Sequence, residues 1–264
     1  MTQFPISEAL DDFVGGLRRW ELWSCLAWND VQQRYRRSFF GPLWTTLSFA
    51  VFVAALGPLY ANLMAVDLNI YVPHLVLGML IWQFMSSIML EGCREFISSA
   101  NYLKTIDIPY ATFIFRLIWR NIVIFLYQFL VFAGAAVLLG ITPRISWLPA
   151  ILGLIIILAN AIWLGLLFGM IAARYRDIIE ILSSALRVLF FLTPIIWMPD
   201  RSERFQILAD LNPFFHFIEI FRAPIMQRGV AMESWMFVLI VGAIGIIVTL
   251  LFFSRFRNRL PFWL

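Results

Sequence analysis

Of the chain's 20 basic residues only one, Lys104, is a lysine, and it sits in "NYLKT" with no glycine nearby. That excludes a phosphate-binding loop of the form G-x-x-x-x-G-K-[ST], in which backbone amides and a lysine cradle a nucleotide. The chain does not hydrolyse nucleotide by that route. Cys25 and Cys93 are too few and too differently placed for a disulfide framework, and no C-x-x-C stands ready for zinc. Both fall on the side assigned below to the cytoplasm, where thiols stay reduced. No H-E-x-x-H and no G-x-S-x-G occur. His74 and His216 stand alone at expected membrane edges and read as local hydrogen-bonding residues, so no metal site is expected. The sixteen acids are scattered. The acidic pair or metal-binding cluster of a membrane glycosyltransferase is therefore missing, and no enzyme is expected.

Charge is scarce as a whole, at 14% of 264 residues, against about 25% in a soluble domain. Hydrophobic residues reach 62%, with a mean hydropathy of +0.84. They gather in runs. Residues 121–139, 147–173 and 235–253 each give about 20 positions with few or no charges, the length a bilayer core demands. Residues 43–64 and 71–90 have the same character, and 178–198 is a sixth run, interrupted by Arg187. Barrel strands alternate apolar and polar over about 10 residues, and these runs do not. The expected fold is all-α: a single polytopic membrane domain over 1–264, with spans at 43–64, 71–90, 110–139, 147–172, 178–198 and 235–253.

Arginine orients the chain. The start, "MTQFPISEALDDF", lacks the basic end and apolar core of a cleaved signal, so the amino terminus is expected in the cytoplasm. The inside segments then hold Arg18, Arg19, Arg34, Arg36, Arg37, Arg94, Lys104, Arg174, Arg176, Arg255, Arg257 and Arg259. The outside loops hold Arg144, Arg201, Arg204, Arg222 and Arg228. Positive charge stays inside, which favours six spans with both termini cytoplasmic. The net charge of +4 follows membrane edges rather than one basic face, so no nucleic acid is expected as a partner.

Three segments are neither spans nor plain loops. Over 17–40, apolar residues recur at Trp20, Trp23, Ala27 and Val31, while Glu21, Asp30, Gln33 and Arg37 take other faces. An amphipathic helix in the headgroup layer fits that pattern, either as a mere anchor or with a further role. Gly41-Pro42 then turns the chain into the first span. The inside loop "CREFISSANYLKTIDIP" has helix-start residues Ser98, Ser99 and Asn101, with Pro109 opening the next helix. It is either a solvated loop or a short helix displayed to the cytosol. Over 199–233, "LNPFFHFIEIFRAPIM" is too short between Pro213 and Pro224 to cross, and reads as a pair of short re-entrant or interfacial helices. Glu219 and Arg222 are spaced to pair along one of them.

Ionisable residues inside spans must face protein or water. Arg116 and Arg120 share a face of the third span. Internal pairing with Glu91 or Glu95 is one reading; contact with an anionic substrate group is the other, because guanidinium binds phosphate through two donors. For Arg187 the same two readings stand, pairing with Glu180 or contact with an anionic group. The acids lie near membrane edges, which argues against a proton relay. Aromatics are 17% of the chain. Trp44, Phe49, Phe52 and Tyr60 are candidates for stacking on sugar rings, against ordinary packing.

"RYRRSFFGPLW" at 34–44, "NYLKTIDIP" at 101–109, "ARYRDI" at 173–178, "TPIIW" at 193–197 and "LNPFFHFIEIFRAPI" at 211–225 occur in an order and spacing that resembles a known family. It is the transmembrane subunit of ATP-binding-cassette polysaccharide exporters, in particular O-antigen (lipopolysaccharide) export permeases. The resemblance runs from about Trp20 to the carboxy end. Family members often carry a basic pair before the coupling-loop proline; here Lys104 is followed by Thr105-Ile106-Asp107. The resemblance implies a homodimer in the bacterial inner membrane with a separate nucleotide-binding ATPase subunit, on which ATP and magnesium sit, leaving no cofactor in this chain. It implies a coupling helix within 96–107, with Ser99, Asn101, Tyr102, Leu103 and Lys104 contacting the ATPase and Arg174, Arg176 and Asp177 nearby. It implies that lipid-linked polysaccharide enters beside the helix over 17–40, so that Arg34, Arg36, Arg37, Arg116 and Arg120 would attract a polyprenyl diphosphate. Residues 199–233 would be periplasmic gate helices, with Asn212, Pro213, His216, Glu219 and Arg222. Exporters of capsule, teichoic acid or small drugs share the architecture and stay open as alternatives.

Overall fold

The computed structural model describes residues 6–36, 38–141, 147–229 and 231–264. Twelve α-helices follow one another among them: α1 (Ile6–Arg18), α2 (Trp20–Arg34), α3 (Leu43–Leu63), α4 (Leu68–Ser98), α5 (Ala100–Thr105), α6 (Ala111–Leu138), α7 (Leu148–Arg174), α8 (Ile178–Leu192), α9 (Glu203–Asp210), α10 (Pro213–Ile225), α11 (Met232–Phe256) and α12 (Leu260–Trp263). The described residues contain no strand. Arg37 and Arg144, which entered the charge reading, lie outside them.

The central helix is α4. It is apolar around most of its circumference, and 20 of its 31 residues are buried, as a helix with no polar face requires. It packs on α3, α6, α7, α8 and α10. Its closest neighbour is α7. A Cβ on Gly169 of α7 would lie 2.9 Å from the Gly92 carbonyl oxygen, and one on Gly92 would lie 3.1 Å from the Gly165 Cα. Only glycine lets the two backbones approach this far; lipid tails are as apolar as leucine, so close packing is what holds such helices together.

Five helices are long and apolar enough to span: α3, α4, α6, α7 and the helical segment Met232–Trp263. The expected fifth span over 178–198 is different. Helix α8 stops at Leu192 after 15 residues, about 22 Å at the usual rise. Thr193-Pro194 ends it: the residue before a proline is pushed out of the helical region, and Thr193 is extended. The irregular stretch that follows is largely buried, and side chains of the surrounding helices take its carbonyls. Tyr71 donates to Ile196 O (2.7 Å), Arg222 to Pro194 O (2.8 Å), and His74 Nε2 lies 3.2 Å from Trp197 O. Non-helical backbone at membrane depth is tolerated on those terms.

The segment expected as one interfacial helix over 17–40 forms two helices instead, broken at Arg19. Helix α1 lay outside the expected bounds, although Ile6, Leu10, Val14 and Leu17 have helical spacing and remain exposed along one side. The segment after 199 forms two short helices as expected. Ser202 caps α9, accepting from Phe205 N, and Asn212 caps α10, accepting from Phe214 N (2.9 Å) with Pro213 in the first turn. Eleven of the 13 residues of α10 are buried.

Candidate functional site

Beside α2, three arginines meet three carboxylates. Arg116 grips Asp30 through two parallel bonds, Nε to Oδ2 (2.7 Å) and Nη2 to Oδ1 (2.6 Å). Arg120 donates to Asp30 (2.8 Å), Glu91 (2.9 Å) and Glu95 (3.1 Å). Arg34 completes the set with a 2.7 Å bond to Glu91, and Asn121 adds one to the same carboxylate. The cluster ties α2 to α4 and α6. Burial would raise the Asp30 pKa, but hydrogen bonds and charge from Arg116 and Arg120 outweigh it and hold the carboxyl below its ordinary value. Of the two roles considered for Arg116 and Arg120, the geometry is internal pairing. Asp30 was not foreseen as their partner. The signal existed: Trp23, Ala27, Asp30, Val31 and Arg34 recur on one helical face, and Trp23 packs on Phe115 and Trp119 of α6. Arg36 is exposed.

The same end of the bundle carries α5, none of whose residues is buried. Asn101, Tyr102 and Lys104 are exposed and Leu103 is half-buried, whereas Ser99 is buried beneath the helix and takes a long bond from Arg116 (3.4 Å). Arg174, Arg176 and Asp177 are exposed at the α7–α8 turn. Helix α12 links the two regions by touching both α5 and α7, and Arg174 lies over the Trp263 ring at 5.3 Å. No sequence motif announced α12. Next to α5 a cavity of about 440 Å³ is lined by Arg19, Lys104, Asp107 and Arg257, among others. Asp12 of α1 borders it, buried, and accepts hydrogen bonds from the backbone of Tyr110 and Ala111. Burial pushes its pKa up, and those N–H groups and Arg257 pull it partly back.

At the opposite end Arg222 is fully buried. It donates through Nε and Nη2 to Glu219 (3.1 and 2.8 Å), the pairing expected from spacing, and through Nη1 to the Pro194 carbonyl. His74 Nε2 is 3.3 Å from the same Nη1. His216 bridges Asp210 O (2.9 Å) and the Ser234 hydroxyl (3.0 Å). Both histidines thus serve local hydrogen bonds. Asn212 also donates to Thr193 Oγ1 (3.0 Å), joining the α10 cap to the break after α8.

The four aromatics of α3 separate. Trp44 is exposed and stacks on Phe40 (6.2 Å), Phe52 is exposed, Tyr60 is half-buried, and Phe49 is buried in the chain's own core. Phe49 is therefore a packing residue in this chain. Arg187 does not meet Glu180. It bonds the carbonyl and hydroxyl of Ser183 one turn back (3.4 and 3.3 Å) and remains exposed, with no carboxylate within 4 Å among the described residues. A seven-residue separation puts Glu180 two turns away, beyond a guanidinium's reach.

The chain is 25% identical over 235 residues to an "O-antigen export system permease protein RfbA" of Klebsiella pneumoniae, covering 88% of this chain and 90% of that protein. A second K. pneumoniae protein of that name is 24% identical over the same shares. One from Myxococcus xanthus is 22% identical over 204 residues, 75% of this chain and 77% of its own length. The family model described as "ABC-2 type transporter" matches residues 21–226, from the second residue of α2 to just past α10. This chain, a multi-pass helical membrane protein, belongs to the ABC-2 type transporter family.

Proposed function

We propose that the chain is the membrane permease of an exporter that moves polyprenyl-diphosphate-linked O-antigen polysaccharide out of the cytoplasm. The observation that carries this reading is the similarity to permeases named for O-antigen export over nearly nine-tenths of the chain. ATP, with magnesium, is bound and hydrolysed by a separate subunit, in keeping with the absence of a phosphate-binding loop. That subunit seats against α5 through Asn101, Tyr102, Leu103 and Lys104, with Arg174, Arg176 and Asp177 beside it; six exposed side chains and a half-buried leucine suit a docking surface. Two copies in the bacterial inner membrane, both with their termini in the cytoplasm, form the path. Exposed Trp44 and Phe52 offer rings on which sugar faces stack weakly and replaceably. Arg34, still partly exposed beside its bond to Glu91, attracts the diphosphate with Arg36 and Arg37, while Arg116 and Arg120 keep α2 in place. The α9–α10 segment, its second helix buried, gates the outer mouth with Asn212, Pro213, His216, Glu219 and Arg222.

Deleting the gene and extracting polyprenol-linked glycan from the cytoplasmic membrane tests the reading. O-antigen linked to lipid accumulates and surface O-antigen disappears. Accumulation of capsular polymer or teichoic acid instead reassigns the cargo, and unchanged surface glycan with altered drug resistance overturns it. Replacing Arg34, Arg36 and Arg37 together by glutamine lowers export while the protein stays in complex with its ATPase; undiminished export at normal protein amount removes the diphosphate role.

A further inference from the structure

Helix α1 precedes the residues the family model matches and packs on α6 and α11, reaching one corner of the molecule with its polar contacts. That corner is the turn between α5 and α6. Residues 106–109 run without helix, and at Tyr110 and Ala111 the new helix begins with its first N–H groups unsatisfied by its own backbone. No local side chain caps α6. Asp12, from a helix about 100 residues earlier in the chain, does so instead. Its Oδ2 accepts from Tyr110 N (3.1 Å) and its Oδ1 from Ala111 N (3.0 Å). The fit is tight. A Cβ on Gly16 would lie 2.8 Å from Ala111 Cβ and from Thr112 N, and one on Gly15 would lie 3.3 Å from the Pro109 ring. Phe13 stacks at a tilt on Phe115, one turn into α6 (5.3 Å). Arg257, just past α11, closes the assembly with bonds to Glu8 O (2.7 Å) and an ion pair to Asp12 (3.6 Å). On its other side α1 exposes Ile6, Leu10, Val14 and Leu17, a stripe suited to the headgroup boundary.

We propose that Asp12 is a positioning residue for transport: α1, held in the lipid surface by its apolar stripe, clamps the first turn of α6 so that a push on α5 moves α6 as a rigid lever. A displacement of α5 reaches α6 only through the non-helical residues 106–110. If that corner yields, the first turn of α6 unwinds and the motion is lost there. A carboxylate accepting from both leading N–H groups, with two glycines seated against the corner, resists that unwinding. The inference rests on the exporter reading above, because it needs an ATPase acting on α5.

The test uses the complete permease–ATPase complex in a strain deleted for the native gene. Surface polysaccharide is measured in cells and ATP hydrolysis on the purified complex. Asp12→Ala lowers glycan exported per ATP hydrolysed by about fivefold, the population shift expected from losing one cap of ordinary strength, while the complex assembles normally and hydrolysis persists. Asp12→Asn, which keeps one acceptor oxygen, falls between. Gly16→Val, which pries α1 off the corner, reproduces the Asp12→Ala effect. Export per ATP equal to wild type in a normally assembled complex overturns the proposal, and so does a parallel loss of complex, hydrolysis and export, which marks a merely structural role. If the wild-type complex itself exports no glycan, the exporter reading fails instead.

Discussion

Arg120 donates four hydrogen bonds to carboxylates of three residues, and Arg116 two more to Asp30. A cation so enclosed is matched to its neighbours, and removing it leaves Glu91 with Arg34 as its salt-bridge partner and Glu95 with only a 3.8 Å contact to Arg116, where water is scarce. Breaking a buried pair from one side costs on the order of 3–5 kcal/mol. Arg120→Gln therefore lowers the melting temperature of the purified protein strongly, whereas Arg36→Gln, on an exposed side chain, leaves it within experimental scatter. Thermal unfolding in detergent decides between them. Acid acts on the same cluster through Asp30. Its pKa is depressed in the fold, so the stabilisation it gives is complete above the free carboxyl value of about 3.9 and is lost only as pH falls through the lower folded value. Melting is thus insensitive to Asp30 between pH 5 and 7, and Asp30→Asn lowers it equally at both; a loss confined to pH 7 contradicts this pairing. Sequence spacing alone showed that Arg116 and Arg120 share a face. It did not show that α2 folds back over them, because that contact joins residues about 90 positions apart.

At the scale of elements, composition made the long spans legible, since a 20-residue apolar run has few alternatives. Boundaries set by tertiary contact were not. The end of α8 depends on Thr193-Pro194 and on carbonyl acceptors being met by Tyr71 and Arg222, both distant in sequence. Helix α1 has regular apolar spacing at Ile6, Leu10, Val14 and Leu17, but Glu8, Asp11 and Asp12 among them mask it in the sequence. The Gly165-x-x-x-Gly169 step is a close-crossing motif legible in the sequence. It carries a prediction. Gly169→Val places a side chain 2.9 Å from the Gly92 carbonyl and 3.1 Å from the Phe96 ring, so α4 and α7 must separate. Gly134 of α6 has open space where its Cβ would go. Gly134→Ala is expected to accumulate in membranes like wild type and Gly169→Val to be depleted, as read by quantitative immunoblotting of the fraction a mild detergent solubilises.

For the whole molecule, the informative residue is Arg187, a cation within an apolar helix that meets no carboxylate within 4 Å among the described residues. Arg187 lies in the middle of α8, exposed beside Val188 and close to exposed Ile181 and Phe191. An arginine facing hydrocarbon at mid-depth costs roughly 2.5–3.5 kcal/mol on insertion scales, more than a serine one turn back restores. Helices α6, α7 and α11 also expose wide surfaces, but theirs are mostly leucine, isoleucine and valine, with Trp119, Met232 and Met236, and suit lipid. The face of α8 that bears Arg187 is therefore the one expected to meet water in the proposed two-copy assembly. In a Cys25→Ser background, Arg187→Cys is expected to react with a membrane-impermeant charged thiol reagent applied to the assembled complex, and Ile244→Cys on the apolar face of α11 is expected to stay unmodified. Equal protection of both sites would place Arg187 away from water, and the path would then have to run along another face.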